Sequence, residues 1–171
     1  NMGVHRIPYN SDTNPENWEE VSIDATTVFQ TAVKSYALFN VMFCSVDKYY
    51  TQAEICSKES DYAPVLVVKA NGVDVECPVA KDFTMRGGKN ADVNYGSDEI
   101  LTMEEHGGFQ ISTDDTARSM IIFDISKVPS DAAISSAIIK VRARTNQERY
   151  PKEVSLLWYK DESFVEDVVT W

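Results

Sequence analysis

The chain has 171 residues, of which 43% are hydrophobic, so it is long enough to bury the core of one domain. Its formal net charge at pH 7 is −11, and its 16 Lys and Arg residues are scattered rather than clustered. Nucleic-acid binding draws most of its affinity from clustered positive charge, so we expect no nucleic-acid partner. No apolar run approaches the ~20 residues that cross a bilayer, so we expect no membrane insertion.

The first 70 residues combine short β patterns with one helical segment. Residues 21–24 alternate as a strand, and Asp24 is placed to accept the first N–H groups of a short helix over 26–33. Two more alternating runs, 37–44 and 52–57, predict strands joined by a turn at 47–50. The apolar run 64–68 predicts a further strand.

The cysteines leave several arrangements open. Cys44 and Cys56 both point away from the apolar faces of their runs, and the turn between them would set them roughly opposite each other. Opposed residues have Cβ atoms about 4.5–5.5 Å apart, slightly wider than a disulfide prefers, so a Cys44–Cys56 bridge and two free thiols are both possible readings. Cys77 falls in a predicted loop, which in a secreted protein indicates an interchain bond or a free thiol.

The second part of the chain is also rich in β patterns. Asn71-Gly72 is a strong turn signal and Pro78 interrupts a strand ladder, so we predict a linker at 70–79. An extended segment at 82–85 and a Gly/Asn/Asp-rich loop at 86–97 follow. Strands are predicted at 100–104, 119–125, 134–144 and 154–159. Together these patterns predict an all-β sandwich of about eight or nine short strands with one short helix.

Several blocks then carry a resemblance. Residues 82–171 contain D-F-T-M-R-G-G-K-N-A-D-V-N-Y-G-S, M-I-I-F-D-I-S-K-V-P-S-D-A-A-I-S-S-A-I-I-K-V and V-V-T-W. This segment resembles the first half of disaggregatase-related β-sandwich repeats, a jelly-roll-like fold also found in carbohydrate-binding modules. Residues 18–68, with W-E-E-V-S-I-D-A-T, S-K-E-S and A-P-V-L-V-V, resemble the second half. The resemblance implies swapped halves: 1–69 as the second half, 70–79 as the linker and 80–171 as the first half.

The two ends of the chain read as the two sides of one cut. Joined end to end they give V-V-T-W-N-M-G-V, which places an assembly seam at Asn1, Met2, Thr170 and Trp171. Either 80–171 of one copy completes a sandwich with 1–69 of the next, or the chain is a closed circular permutant. A half-sandwich exposes an apolar face and unpaired edges, and head-to-tail completion generates filaments. We favour the array.

Few residues suggest chemistry. His5 and His106 lack metal-ligand spacing, and adjacent carboxylate pairs point to opposite faces of a strand, so we expect no enzyme. The loop 87–97 offers Asp92 and Asn94 near Asp82. Hard cations prefer such oxygen ligands, and related sandwiches often carry calcium, so we expect a structural calcium ion as the only cofactor. The alternative is a loop of Asx turns.

These observations favour a non-catalytic extracellular or cell-surface module, the repeating unit of a surface filament, stalk or matrix fibre. Its main partners would be other copies of itself, added head to tail. The alternative is a carbohydrate-binding module attached to a polysaccharide-degrading enzyme, with polysaccharide as the partner. That reading needs exposed aromatic rings to stack on sugars. The tyrosines that could serve are Tyr49, Tyr50, Tyr95, Tyr150 and Tyr159.

Overall fold

The structure, a computed structural model, describes residues 2–46, 51–105, 116–146, 148, 152–160 and 166–170. Within these residues ten β-strands and one α-helix form, which confirms the predicted all-β class. The helix α1 is Thr26–Ala32. The strands are β1 (Val4–Ile7), β2 (Glu19–Asp24), β3 (Leu38–Ser45), β4 (Thr51–Cys56), β5 (Val65–Ala70), β6 (Val73–Arg86), β7 (Ile100–Glu105), β8 (Ala117–Asp124), β9 (Ile134–Thr145) and β10 (Lys152–Tyr159). Short 3-10 turns occupy Pro15–Asn17, Gly88–Asn90 and Glu166–Val168.

The strands pair antiparallel in the order β1-β10-β3-β8-β6-β5-β9-β4-β7, with β2 added to β9 and a further pairing of β7 with β8. The 14-residue strand β6 explains how the sheet folds over on itself. Its residues 73–78 pair with β5, and its residues 79–86 pair with β8. One strand therefore serves both layers of the sandwich, and the β7–β8 pairing links them again.

The alternation in β9 shows why this sequence buries one face of each strand. Its inward residues, Ala137, Ile139, Val141 and Ala143, are at most 1% exposed, whereas Lys140 lies on the outer face. The same core takes Phe39 from β3 and Phe29 from α1, whose rings meet edge to face with centroids 5.2 Å apart. Burial of these apolar faces is the main force that holds the two layers together.

A second apolar cluster lies on the other face of the β3, β8 and β6 strands. Phe83, Met120 and Ile122 are buried there, whereas Ile121 and Phe123 of β8 point into the main core. Val169, near the end of the chain, packs against this cluster. The C-terminal segment therefore covers the outside of one layer, and this position brings Glu166 next to β6.

The first five strands are paired almost entirely with the last five inside one chain. The pairings β1–β10, β3–β10, β3–β8, β2–β9, β5–β9, β4–β9 and β4–β7 all join residues 1–70 to residues after 99. Each of these strands thus finds a partner strand without a second copy. The correspondence of 1–69 and 80–171 to swapped halves of a family sandwich stays a prediction.

Residues 70–79, predicted to be a linker, belong to the sheet. Asn71 and Gly72 have φ angles of 52° and 81° and form the tight turn from β5 to β6. The turn prediction was right, but the chain continues into β6 instead of leaving the sheet. Pro78 is tolerated because it pairs with Val65, the first residue of β5, where β6 changes its partner strand.

The cysteine predictions need correction. Strand β3 lies between β10 and β8, and β4 lies between β7 and β9, so the predicted hairpin of these strands does not form. Cys44 and Cys56 are not joined by a disulfide bond. Cys77, expected in a loop and available to another chain, is fully buried in the core, and this burial raises its pKa to about 11. A thiol in that position is not presented to a partner chain.

No helix among the described residues is long and apolar enough to cross a membrane. The helix prediction itself is confirmed, since α1 begins at Thr26 as expected and ends one residue early. Asp24 accepts hydrogen bonds from the Thr26 backbone N–H at 2.8 Å and from its hydroxyl at 2.6 Å. These bonds lower the pKa of Asp24.

Candidate functional site

Two grooves open to solvent border the strand β2 and meet at Glu20. The first, which we name the Tyr62 groove, has a volume of about 240 Å³ and is lined by Glu20, Tyr62, Val65, Lys140 and Arg142, among others. The second, the Tyr9 groove, has a volume of about 470 Å³ and is lined by Arg6, Pro8, Tyr9, Glu19, Glu20 and Val21. Each groove therefore combines one tyrosine ring with charged side chains.

The register of β2 on β9 sets the polar groups of the Tyr62 groove. Glu20 lies opposite Arg142, and Ser22 lies opposite Lys140, on the outer face of the sheet. The Lys140 Nζ atom is 3.4 Å from Glu20 Oε1, and these side chains are 41% and 54% exposed. Such an exposed pair adds little stability. A hydrogen-bond donor and an acceptor are thus presented side by side to any ligand in the groove.

Arg142 fixes the tyrosine of this groove. Its guanidinium carbon lies 4.3 Å from the centroid of the Tyr62 ring. Its Nη1 donates to the carbonyls of Pro15, Glu16 and Trp18 at 3.3, 2.6 and 3.3 Å. Because the cation is held by three backbone oxygens and stacks on the ring, it holds Tyr62 in place at the groove.

The Tyr9 groove rests on a fixed backbone. Thr145 N donates to Pro8 O at 2.8 Å, and Asn10 N donates to Thr145 O at 3.0 Å, so the residues on both sides of Tyr9 are bonded to the end of β9. Tyr9 itself is 44% exposed. Its ring is therefore an exposed aromatic surface on a rigid segment.

A different arrangement brings three carboxylates together beside β6. We name Glu59, Asp82 and Glu166 the carboxylate cluster. One oxygen from each lies within 4.8 Å of the others. Glu59 follows β4, Asp82 belongs to β6, and Glu166 belongs to the last 3-10 turn. Asp82 is only 1% exposed, and the other two side chains are 24% and 15% exposed.

Hydrogen bonds hold the carboxylate cluster together. Asp82 Oδ2 accepts from the Lys58 backbone N–H at 2.7 Å, and the Asp82 backbone N–H donates to Glu166 Oε1 at 3.0 Å. The Lys58 ammonium pairs with Glu59 and lies 3.1 Å from Glu166 Oε1. Asp82 Oδ1 is buried and has no hydrogen-bond partner among the described residues. The cluster thus has one acceptor more than the chain satisfies there.

Burial shifts the acidity of this cluster. It raises the pKa of Asp82 to about 7, because desolvation disfavours the carboxylate, and the nearby charges of Glu59 and Glu166 act in the same direction. The Lys58 N–H bond opposes this shift. The pKa of Lys58 moves upward, first through its hydrogen bond to Glu59. A positive charge at this place is therefore favoured.

The loop before β7 positions Glu166. Asn94 Nδ2 donates to the carbonyls of Glu166 and Val169 at 2.6 and 3.0 Å, and Asn94 Oδ1 accepts from Gly96 N at 3.0 Å. A Cβ on Gly96 would lie 2.8 Å from Glu166 O, closer than real contacts allow. Only glycine at 96 lets the C-terminal segment approach this closely.

Of the predicted calcium ligands, the structure places only Asp82 in the carboxylate cluster. Asn94 supports the C-terminal segment, and Asp92 is exposed and outside the cluster. Sequence reasoning missed Glu59 and Glu166 as neighbours of Asp82. No spacing rule relates these positions, because the chain returns to β6 only through its tertiary fold.

The remaining candidate residues are placed as follows. Met2 is 9% exposed and its N–H donates to Leu156 O at 2.8 Å, while Thr170 is exposed. Tyr95 is half-buried beneath Arg86, and Tyr159 is 43% exposed on β10. Several other predicted positions lie outside the described residues: Asn1, Trp171, His106, Tyr49, Tyr50 and Tyr150.

Comparison with known proteins adds one finding. A sequence model of carbohydrate-binding module family 96 matches residues 73–171, which is more than half of the chain and includes β6 to β10. Lys140, Arg142, Asp82 and Glu166 fall inside the matched range. No curated protein and no solved structure matches the chain.

Proposed function

Because the chain belongs to carbohydrate-binding module family 96, we propose that it binds polysaccharide and that the Tyr62 and Tyr9 grooves form its glycan-binding surface. The family is one of non-catalytic binding modules, in agreement with the expectation that the chain is not an enzyme. The finding supports the carbohydrate-binding alternative over the filament reading that we favoured from sequence. The relation to disaggregatase repeats is not needed for this function.

The chemistry of the grooves fits sugar recognition. A pyranose ring has apolar C–H faces that stack on aromatic rings, and hydroxyls that need donors and acceptors. Tyr62, held by Arg142, supplies a fixed ring. The adjacent Lys140 ammonium and Glu20 carboxylate supply a donor and an acceptor. Their atoms lie 3.4 Å apart, close enough to bind the same sugar hydroxyl.

The size of the grooves fits an extended polymer. Enclosed small-molecule pockets usually span roughly 300–1,000 Å³, and the Tyr62 groove, at about 240 Å³, is smaller and open. It suits one sugar ring of a longer chain. Glu20 borders both grooves, so a polysaccharide lying across β2 would meet Tyr62 on one side and Tyr9 on the other. Polysaccharide of this kind is met outside the cell, so an extracellular or cell-surface location is part of the proposal.

Head-to-tail growth receives less support. It was expected because a half-sandwich would expose unpaired strands, but each of the strands β1 to β5 pairs with another strand of the same chain. Sedimentation velocity separates the two readings. The polysaccharide-binding proposal is compatible with a 19.2 kDa monomer, whereas the filament interpretation requires long assemblies.

Affinity electrophoresis tests the proposal. The chain is run through native gels that contain neutral polysaccharides or polyuronates, one at a time, and its retardation is measured against concentration. We expect retardation by at least one polysaccharide, and loss of affinity by about 10-fold or more in Tyr62→Ala, since truncation of an anchoring aromatic typically costs over 1 kcal/mol. Lys140→Met should weaken the same binding.

Tyr159→Ala is the matched control, because Tyr159 and Tyr9 are almost equally exposed, at 43% and 44%, and Tyr159 lies on β10, outside both grooves. Tyr9→Ala should reduce affinity, and Tyr159→Ala should not. Retardation by none of the polysaccharides, or an equal loss in all three tyrosine variants, would contradict the proposed surface.

A further inference from the structure

The carboxylate cluster has a composition that goes beyond glycan binding. Glu59, Asp82 and Glu166 come from three separate segments of the chain, yet one oxygen of each lies within 4.8 Å of the other two. Carboxylates repel one another at this separation unless a positive charge lies between them. A cluster of acidic groups is often simply solvated, so the argument depends on what surrounds it.

The buried oxygen of Asp82 is the second observation. Asp82 is 1% exposed, so water does not solvate its carboxylate. Its Oδ2 is bonded to Lys58 N at 2.7 Å, but its Oδ1 has no hydrogen-bond partner in the described part of the chain. Buried polar atoms without partners are rare and costly, and a bound ion is one recognised explanation.

The charges of the cluster give the same indication. Among the described residues, one positive side chain forms ion pairs with the three ionised carboxylates: the Lys58 ammonium, which pairs with Glu59 and Glu166. Two negative charges are left uncompensated. A divalent cation would neutralise them and would give Asp82 Oδ1 the partner it lacks.

We propose that Glu59, Asp82 and Glu166 bind one calcium ion. The donor set consists only of oxygens, without His or Cys, which selects hard cations over zinc or copper. Calcium accepts six to eight oxygens in flexible geometry, so three carboxylates plus backbone carbonyls or water can satisfy it, whereas magnesium demands a stricter octahedron. This ligand set retains Asp82 from the sequence expectation and replaces Asp92 and Asn94.

The position of the site defines its role. The ion would join the segment after β4, the strand β6 and the C-terminal 3-10 turn. It would thereby fasten the C-terminal segment, whose Val169 covers the outer apolar cluster. Lys58 acts as a competitor for the ion, since its ammonium occupies the same anionic position.

Calorimetric titration of the chelator-treated chain with Ca²⁺ alone, together with thermal melting, tests the site. We expect one bound ion per chain and a melting temperature that rises with Ca²⁺. Glu59→Gln and Asp82→Asn should each lower Ca²⁺ affinity by at least about 10-fold, because affinity follows ligand charge. Glu59 is the most exposed member of the cluster, so its variant tests the site with little change to the buried part of the structure.

Two further variants complete the design. Asp92→Asn removes one exposed negative charge outside the cluster and should leave Ca²⁺ affinity unchanged. Lys58→Met removes the competing ammonium and should tighten Ca²⁺ binding, an effect that a purely structural salt bridge would not produce. Absence of Ca²⁺ binding to the wild-type chain, equal losses in Asp92→Asn and Glu59→Gln, or weaker binding in Lys58→Met would each overturn the proposal.

Discussion

Two polar regions of this sandwich differ in how completely their groups are paired. On the outer face of β9, Arg144 is 8% exposed and donates to Glu54 Oε2 at 2.6 Å and to Asp12 O at 2.8 Å, with the Trp18 ring 5.0 Å from its guanidinium. At the edge of β6, Asp82 is more deeply buried, yet one of its oxygens has no partner in the described chain. The first region is a structural contact, whereas the second has an unpaired oxygen that can accept a ligand.

The comparison shows how function can be inferred where the sequence has no catalytic motif. The buried Arg144 cation, whose Nε and Nη1 atoms both donate to acceptors, is accounted for by folding, because it fastens the segment 10–18 onto the sheet. A buried anion with an unpaired oxygen is not accounted for in this way, because the cost of its desolvation is not offset. Partner satisfaction, rather than charge alone, separates the structural cluster from the candidate ligand site.

The largest expected effect concerns the satisfied region. Arg144→Met should lower the free energy of unfolding by about 2–4 kcal/mol, since removal of one partner from a buried ion pair leaves the other uncompensated. Lys69→Met is the control, because the Lys69–Asp74 pair is 3.4 Å long and 45% and 60% exposed. Urea denaturation measures both. If the two variants lose equal stability, Arg144 is not the structural contact described above.

A smaller effect is expected at Asp82, with a defined pH dependence. With chelator present, the pKa of Asp82 in the folded chain, about 7, exceeds the ordinary value of 3.8, so the folded state holds the proton more tightly. Protonation of Asp82 therefore contributes fully to the stability of the folded state below about pH 4, and this contribution is lost as the pH rises through about 7. Asp82→Asn should abolish this decline and be more stable than wild type at pH 8, by on the order of 2 kcal/mol.

The measurement is the difference in unfolding free energy between wild type and Asp82→Asn at several pH values, in the presence of chelator. Added Ca²⁺ should reverse its sign at pH 8, because only the wild-type chain keeps all three carboxylates. A difference that does not change with pH would show that Asp82 is not held in a desolvated state.

The smallest effect sharpens the comparison at the support of Glu166. Gly96→Ala places a Cβ 2.8 Å from Glu166 O, so the C-terminal segment must shift, at a cost of about 1 kcal/mol. Ca²⁺ affinity should fall with it. Gly72→Ala has open space around its Cβ but a φ of +81°, so it should lose similar stability through backbone strain without changing Ca²⁺ affinity. Equal Ca²⁺ affinity in both variants would contradict the positioning role of Gly96.

Much of the fold followed from local patterns. The alternation at 134–144 predicted which side of β9 is buried, and Asp24 marked the start of α1. The wrong assignments were about partners. The alternation in β3 is compatible with any neighbouring strand, and its closeness in sequence to β4 suggested a hairpin of the two. In the structure β3 pairs with β10 and β8 instead. Cys77 was predicted to lie in a loop because Pro78 follows it. In the structure β6 changes its partner strand after Pro78, and both residues belong to β6.

The candidate sites were less accessible to sequence reasoning. Lys140 and Arg142 were visible as the polar side of an alternating strand, but nothing indicated that Tyr62 would lie against Arg142. Asp82 was predicted to be a calcium ligand because the loop 87–97, with Asp92 and Asn94, lies close to it in the sequence. Its actual neighbours come from positions 59 and 166, which only the packing of the C-terminal segment brings to β6.

Polysaccharide binding along β2 is the central claim, and amide chemical-shift mapping tests it most directly. The ¹⁵N-labelled chain is titrated with oligosaccharides cut from the polysaccharide that retards it most in native gels. We predict saturable shifts confined to residues beside the two grooves, with Glu20, Tyr62 and Lys140 among the largest. Shifts that leave β2 and Tyr62 unaffected and concentrate on another face would contradict the account.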